Sequence, residues 1–199
     1  MNKNVVITVS RQYGCGGREL ATILAKKLNV NLYDKQIIHL AAAKLGIDDL
    51  SEEDLKELEN TVQPMTLTYV PFHSFGNHAG ESSRGMFIAE AGVIRRLAND
   101  GPCVILGRSA DYVLEDEPNH FSIFVCANDA YREQRGKDVY DGKTLKELNQ
   151  EDDKRARYYN YYTGKKWGDP VNYDLVVNTS NEPLDKIADA IIEYINTVK

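Results

Sequence analysis

The 199-residue sequence predicts an α/β fold, three layers deep, in which a parallel sheet of about five strands lies between two layers of helices. Three observations predict it. Short β-branched runs alternate along the chain with longer segments whose apolar residues recur at helical spacing. The first of these runs passes through a glycine-rich turn directly into a helix. The chain also shows no internal repeat and no sign of a second domain.

Val5-Val6-Ile7-Thr8-Val9 is the first buried strand. Ser10 to Gly17 breaks the pattern, and from Arg18 onward Leu20, Ile23, Leu24 and Leu28 mark a helix. Val30–Tyr33 reads as a brief second strand, with Asp34 as N-cap of a helix over Lys35–Leu45 that Gly46 stops. Ser51-Glu52-Glu53-Asp54 opens another helix with a capping-box pattern. Residues 62–83, with Pro64, Pro71, Gly76 and Gly80, are the least regular stretch. A loop of that length inside a compact domain is generally functional or mobile.

A helix over about Met86–Leu97 follows, then a strand over Pro102–Leu106 that ends at Gly107-Arg108. Phe121–Cys126 is the next strand and leads to a helix capped by Asn128 or Asp129. Residues 136–170 are charged and tyrosine-rich, with a helix over Leu145–Tyr162. Asp174–Asn178 is the last strand. Asn181 and Pro183 open a final helix with Leu184, Ile187, Ala188, Ile191 and Ile195 on one face. Right-handed crossovers place the C-terminal ends of all strands along one edge. Ser10–Gly17, Asp34, Gly107-Arg108 and Asn128 therefore gather there.

Gly14-Cys15-Gly16-Gly17, between strand and helix, presents bare backbone N–H groups at a helix N-terminus, a built-in site for phosphate. The dinucleotide pattern GxGxxG would need glycine at position 19, where Glu19 stands, which disfavours an oxidoreductase. The pattern GxxxxGK[ST] is matched only in part. With its later glycine at Gly16, Arg11 falls at the first glycine, Gly17 at the lysine and Arg18 at the hydroxyl residue. That lysine brings positive charge to the β- and γ-phosphates, so Arg11 and Arg18 are the candidates to supply it.

Other charged groups are candidates for the same chemistry. Arg108 follows a buried strand and needs either an anion or a salt-bridge partner, for which Asp111 is the nearest carboxylate in sequence. Arg132 and Arg135 are one helical turn apart and, with Arg155 and Arg157, could close over transferred phosphates. Asp152 and Arg155 are at i, i+3, able to pair with each other or to bracket a nucleobase and its phosphate. Tyr158, Tyr159, Tyr161 and Tyr162 suit helix packing better than base stacking. His39, His73, His78 and His120 have no metal-ligand spacing, and no metal ligands are assigned. Cys15, Cys103 and Cys126 fit neither a zinc site nor a CxxC motif; Cys15, at a helix N-terminus, could carry a stabilised thiolate or simply be a small residue beside a phosphate.

A net charge of −6 argues against broad binding to nucleic acid polymers. No apolar run is long enough to span a membrane, and Met1–Asn4 leads straight into a strand without a signal sequence, so a cytoplasmic location is expected.

Ile7–Glu19 resembles the opening of the cytidylate kinase-like family, a divergent branch of the P-loop kinases. Tyr33-Asp34-Lys35, Ile105–Asp111, Arg155–Tyr159, Tyr162–Gly168 and Tyr173-Asp174-Leu175 extend the resemblance over essentially the whole chain. It implies a P-loop NTPase fold with a core over 1–34, 84–131 and 171–199, a helical NMP-binding insertion over about 35–83 and a lid over about 132–170. It implies transfer of the ATP γ-phosphate, with Mg²⁺, to CMP or dCMP as small-molecule nucleotide substrates. Arg11, Gly14, Cys15, Gly16, Gly17, Arg18 and Glu19 would then hold ATP. Asp34, Arg108, Asp111, Asp152 and Arg155 would face the acceptor, with Arg18, Arg108, Arg132 and Arg135 catalytic. Two departures from the family's pattern stand beside the absent lysine: Leu40 and Leu148 occupy positions where cytidylate kinases carry arginines. A second function is therefore weighed, a nucleotide-binding or sensing module without catalysis.

Overall fold

The computed structural model describes residues 5–34, 37, 39–41 and 79–198. Five parallel strands form one sheet: β1 (Val6–Arg11), β2 (Asn31–Tyr33), β3 (Cys103–Leu106), β4 (His120–Cys126) and β5 (Leu175–Asn178), in the order β2-β3-β1-β4-β5. The described helices are α1 (Gly17–Leu28), α2 (Ala79–Asp100), α3 (Ala110–Val113), α4 (Asp129–Val139), α5 (Leu145–Thr163) and α6 (Leu184–Val198).

Alternation along the strands builds two cores. Ile7 and Val9 of β1, Val104 and Leu106 of β3, and Phe121, Ile123 and Val125 of β4 point to one face. There they meet Leu20 and Leu24 of α1 and Ala188, Ile191 and Ile195 of α6. Val6, Cys103 and Ile105 point to the other face and meet Met86, Ala89, Val93 and Ile94 of α2 with Ala110, Val113 and Leu114. Period two in a strand places successive side chains on opposite faces, so both layers of helices follow from one set of apolar runs. The second face also buries polar groups that satisfy one another, such as Thr8 Oγ1 and His120 Nε2 at 2.7 Å. His120 is thus a core residue.

The central strand β1 pairs with β3 on one side and β4 on the other, through Thr8 opposite Ile105 and Ser122. This register brings Ser10–Gly17 beside the ends of β3 and β4 on the same edge of the sheet. The expected strands all form, with ends shifted by a residue or two. Two elements differ. Helix α2 starts at Ala79 rather than Met86, because Gly80 reads in sequence as a breaker although a glycine in the opening turn of a long helix is tolerated. The four-residue α3 was not expected; it is too short to show periodicity. Of the helix expected over Lys35–Leu45, residues 37 and 39–41 are described and are helical. The helix starting at Ser51, the stretch 62–78 and most of the NMP-binding insertion lie outside the described residues.

Candidate active site: a glycine loop under a cationic cavity

The chain leaves β1 at Arg11 and enters α1 at Gly17. Gly14 and Gly16 adopt φ 81° and 80°, the left-handed region where a Cβ is costly. Gly16 caps α1 with no side-chain hydrogen bond, which leaves the amides of the first turn facing outward. The loop is held from beneath. The Cys15 thiol donates to Gln12 O (3.1 Å) and Val125 O (3.4 Å), and the Thr179 hydroxyl donates to Cys15 O (2.6 Å). Ala127 N donates to Gln12 Oε1 at 3.1 Å. Burial pushes the Cys15 thiol up to about 11, so it is a protonated packing group and not a stabilised thiolate.

A cavity of about 620 Å³ opens above this loop. Among the described residues its walls carry Arg11, Arg18, Arg108 and Arg155, together with Lys143, Lys154 and Arg157, against Asp34 and Glu151. The cations are placed by specific contacts. Arg18 Nη2 lies 2.5 Å from Asp34 Oδ2, and Arg108 Nη1 lies 3.6 Å from Glu90 Oε1. Arg155 Nη1 donates to Arg11 O at 3.0 Å and its guanidinium sits 5.1 Å from the centre of the Tyr13 ring. Lys143 Nζ approaches the same ring at 4.9 Å, so Tyr13 is flanked by two cations. Burial, then the charge of Arg155, draws the Arg11 guanidinium down to about 9, which leaves it charged at neutral pH. An anion entering the cavity relieves that crowding. The overall charge of the chain is negative, so this excess of cations among the described lining residues runs against the chain's average.

The turn after β3 forms the facing wall. Gly107, Arg108 and Ser109 have φ 76°, 60° and 50°, three consecutive left-handed residues of which two carry side chains. Such strain persists where surrounding structure imposes it and clusters at ligand sites. Ser109 Oγ is buried and has no hydrogen-bond partner.

Of the candidates, Arg11, Gly14, Gly16, Gly17, Arg18, Asp34, Arg108 and Arg155 line the cavity. Other candidates stand elsewhere. Arg132 is 3% exposed; its Nε donates to Tyr13 O at 2.8 Å and its Nη2 to Asp152 Oδ2 at 2.5 Å. Asp152 also accepts from Tyr13 N at 2.6 Å, while Arg155 is farther from it, at 3.6 Å. The intrahelical pair thus exists but is secondary to the contact with Arg132. Burial raises the Asp152 carboxyl to about 6, against the pull of Tyr13 N–H, Arg155 and Arg132. Arg135 pairs with Glu19 beside Gly16.

Asp111 is not the partner of Arg108. It is buried, accepting from Ser10 Oγ (3.1 Å) and Tyr159 OH (2.7 Å), and burial pushes its carboxyl up. Among the described residues, Arg108 meets Glu90 of α2, 2% exposed, which also accepts from Tyr158 OH at 2.9 Å. Sequence reasoning missed Glu90, yet a signal was there: it sits midway between Met86 and Ile94 on the buried stripe of its helix. Lys143 and Lys154 were missed as well. Tyr158 and Tyr159 serve packing and hydrogen bonding, and the Tyr162 ring stacks on Phe87 at 4.5 Å, in line with the packing reading. Leu148 is fully buried, its Cδ1 beneath Gly14, so an apolar floor stands where an arginine would be sought.

The loop fits a nucleoside polyphosphate: glycines permit close approach, helix N–H groups face outward, and cations surround the space above. Among the described residues no group of three or more His, Cys, Asp or Glu converges. A magnesium ion carried on substrate phosphates requires no such cage.

The model of the cytidylate kinase-like family matches residues 6–181 of this chain. A search of curated protein sequences gives no match. A solved structure of an uncharacterized protein from Eubacterium ventriosum is 27% identical, with a TM-score of 0.71, covering 98% of this chain and 99% of that one. A gluconokinase from Sinorhizobium meliloti is 13% identical with a TM-score of 0.59, over 100% and 95% of the two chains. The APS kinase of Mycobacterium tuberculosis, solved with AMPPNP and APS, is 17% identical with a TM-score of 0.51, over 98% of each chain. The fold is that of the P-loop kinases.

Proposed function

The chain belongs to the cytidylate kinase-like family, and from that premise we propose that it is an ATP-dependent phosphotransferase of the nucleoside monophosphate kinase type, with CMP or dCMP as the first acceptor to test. The observation that carries this reading is the glycine loop opening, at the N-terminus of α1, into a cavity walled by arginines and lysines. Phosphoryl transfer asks the protein mainly to position two anionic reactants and to neutralise charge as it moves, and this cavity has the groups to do both.

In this reading the loop from Gly14 to Arg18 holds the ATP phosphates, with Mg²⁺ bound mainly through them. Asp34, Arg18 and Arg108 face the acceptor. Arg155 and Lys143 reach in from α5 and the segment before it, the region proposed as the lid over residues 132–170. Arg132, Arg135, Glu19, Asp111 and Asp152 act behind the surface as positioning residues. An acceptor of the CMP type would be recognised without the contacts that arginines at positions 40 and 148 would supply.

The test is ADP formation from ATP and Mg²⁺ with each nucleoside monophosphate in turn, at high protein concentration. Turnover that depends on one acceptor supports the proposal. Thermal stabilisation by ATP with no ADP from any acceptor would favour a binding module instead.

A further inference from the structure

Gly17 stands where GxxxxGK has its lysine, and no side chain fits there. A Cβ at Gly17 would lie 2.6 Å from Arg11 Cβ and 3.0 Å from Arg11 Cγ. The glycine is not required by backbone conformation, since Gly17 is not among the residues of positive φ. It is required by the space that Arg11 takes. The Arg11 side chain runs across Gly17 and on to the turn after β3, where Nη1 fills the volume that a Cβ on Gly107 would need. One arginine thus occupies the Cβ space of two glycines on opposite walls of the cavity, and at Gly107 the positive φ favours glycine as well. Its guanidinium ends among Arg18, Arg108 and Arg155, with Asp34 as a nearby carboxylate.

We infer that Arg11 and Gly17 are an exchanged pair: the cation that a phosphate loop carries on the first turn of its helix is delivered here from the last residue of β1, to bind the β- and γ-phosphates of a nucleoside triphosphate. The inference rests on the kinase reading above and identifies the group that replaces the lysine. The exchange substitutes a planar fork, able to reach two phosphate oxygens at once, for a compact ammonium. Packing between Gly17 and Gly107 fixes the arginine in place before any nucleotide arrives, which lowers the ordering cost of binding.

The test compares wild type with Arg11→Ala, Gly17→Lys and the double variant Arg11→Gly/Gly17→Lys, which gives the loop the full GxxxxGK spacing. Each is measured for melting temperature and for binding of ATP and of AMP, both with Mg²⁺. Arg11→Ala should weaken ATP by roughly ten- to hundredfold, the loss of a charge-assisted contact, and AMP by much less. Gly17→Lys alone should melt lower and bind ATP poorly, because Arg11 occupies the space. The double variant should regain both properties beyond either single change, including folding where Gly17→Lys fails to fold. Unchanged ATP affinity in Arg11→Ala, or a double variant no better than the worse single one, overturns the exchange while leaving the kinase reading standing. Absence of ATP binding by the wild-type chain overturns the kinase reading and the exchange with it.

Discussion

Arg132 and Arg155 both reach the glycine loop from the helices that span residues 129–163, yet they serve opposite sides of it. The Arg132 side chain is 3% exposed and is held by Tyr13 O and Asp152, with Asp129 at 3.7 Å. That of Arg155 is 28% exposed, touches the backbone at Arg11 O and faces the cavity. Below the loop the arginines are paired with carboxylates, Arg132 with Asp152 and Arg135 with Glu19, and Asp111 is held by two hydroxyls. Above it, among the described lining residues, cations outnumber carboxylates. The lower set contacts the loop from behind, and the upper set lines the cavity. Residue type is the same in both, so burial and the partner decide the role.

Substitutions can break this contrast, and the largest effect is expected below the loop. Arg132→Ala leaves the Asp152 carboxylate buried without its main partner and should cost about 3–5 kcal/mol of stability, read from urea unfolding. Unchanged stability there would mean that Arg132 is free to act on ligand. The second effect is on pH. Asp152 titrates near 3.8 when unfolded and near 6 when folded, so between those values the folded state holds a proton that the unfolded state has lost. Its contribution is present below 3.8 and is lost as pH rises through about 6. Unfolding free energy measured at steps across that window should fall with rising pH in wild type relative to Asp152→Asn.

A third, smaller effect concerns the network under β1. Tyr159→Phe removes one of the two hydroxyl donors to Asp111 and should cost about 1–3 kcal/mol, with no direct change in ATP affinity. The smallest effect on stability belongs to the cavity set. Arg18, with 57% of its side chain exposed, should tolerate Arg18→Ala within about 0.5 kcal/mol while ATP affinity drops severalfold in calorimetry. Equal loss of stability and affinity in both sets would erase the distinction between them.

Most of the fold was legible because the signals were local. Val5–Val9 and Phe121–Cys126 show the β-branched and apolar runs of buried strands, and the glycine turn marks where β1 gives way to α1. The edge of the sheet on which Arg11, Arg18, Asp34 and Arg108 meet followed from the handedness of crossovers. What escaped was pairing across long separations. Nothing local at Asp111 says that Tyr159 rather than Arg108 will meet it, and nothing at Gly17 says that Arg11 has taken its space. The first is set by packing between elements far apart in the chain, where several carboxylates were equally good partners on sequence grounds; the second is set by the path of one side chain within the loop, which residue types alone do not specify.

Thr179, buried just beyond β5, donates its hydroxyl to Cys15 O and to Cys126 O, and so clips the glycine loop to the far edge of the sheet. The two ends of that clip are 164 positions apart. During synthesis, then, the loop emerges from the ribosome early but stays unclamped until residue 179 has emerged and β5 has docked on β4. A ribosome-tethered chain halted before Thr179 should gain no protease protection from ATP, whereas one exposed through residue 198 should; protection of the shorter chain would show that the clip is dispensable.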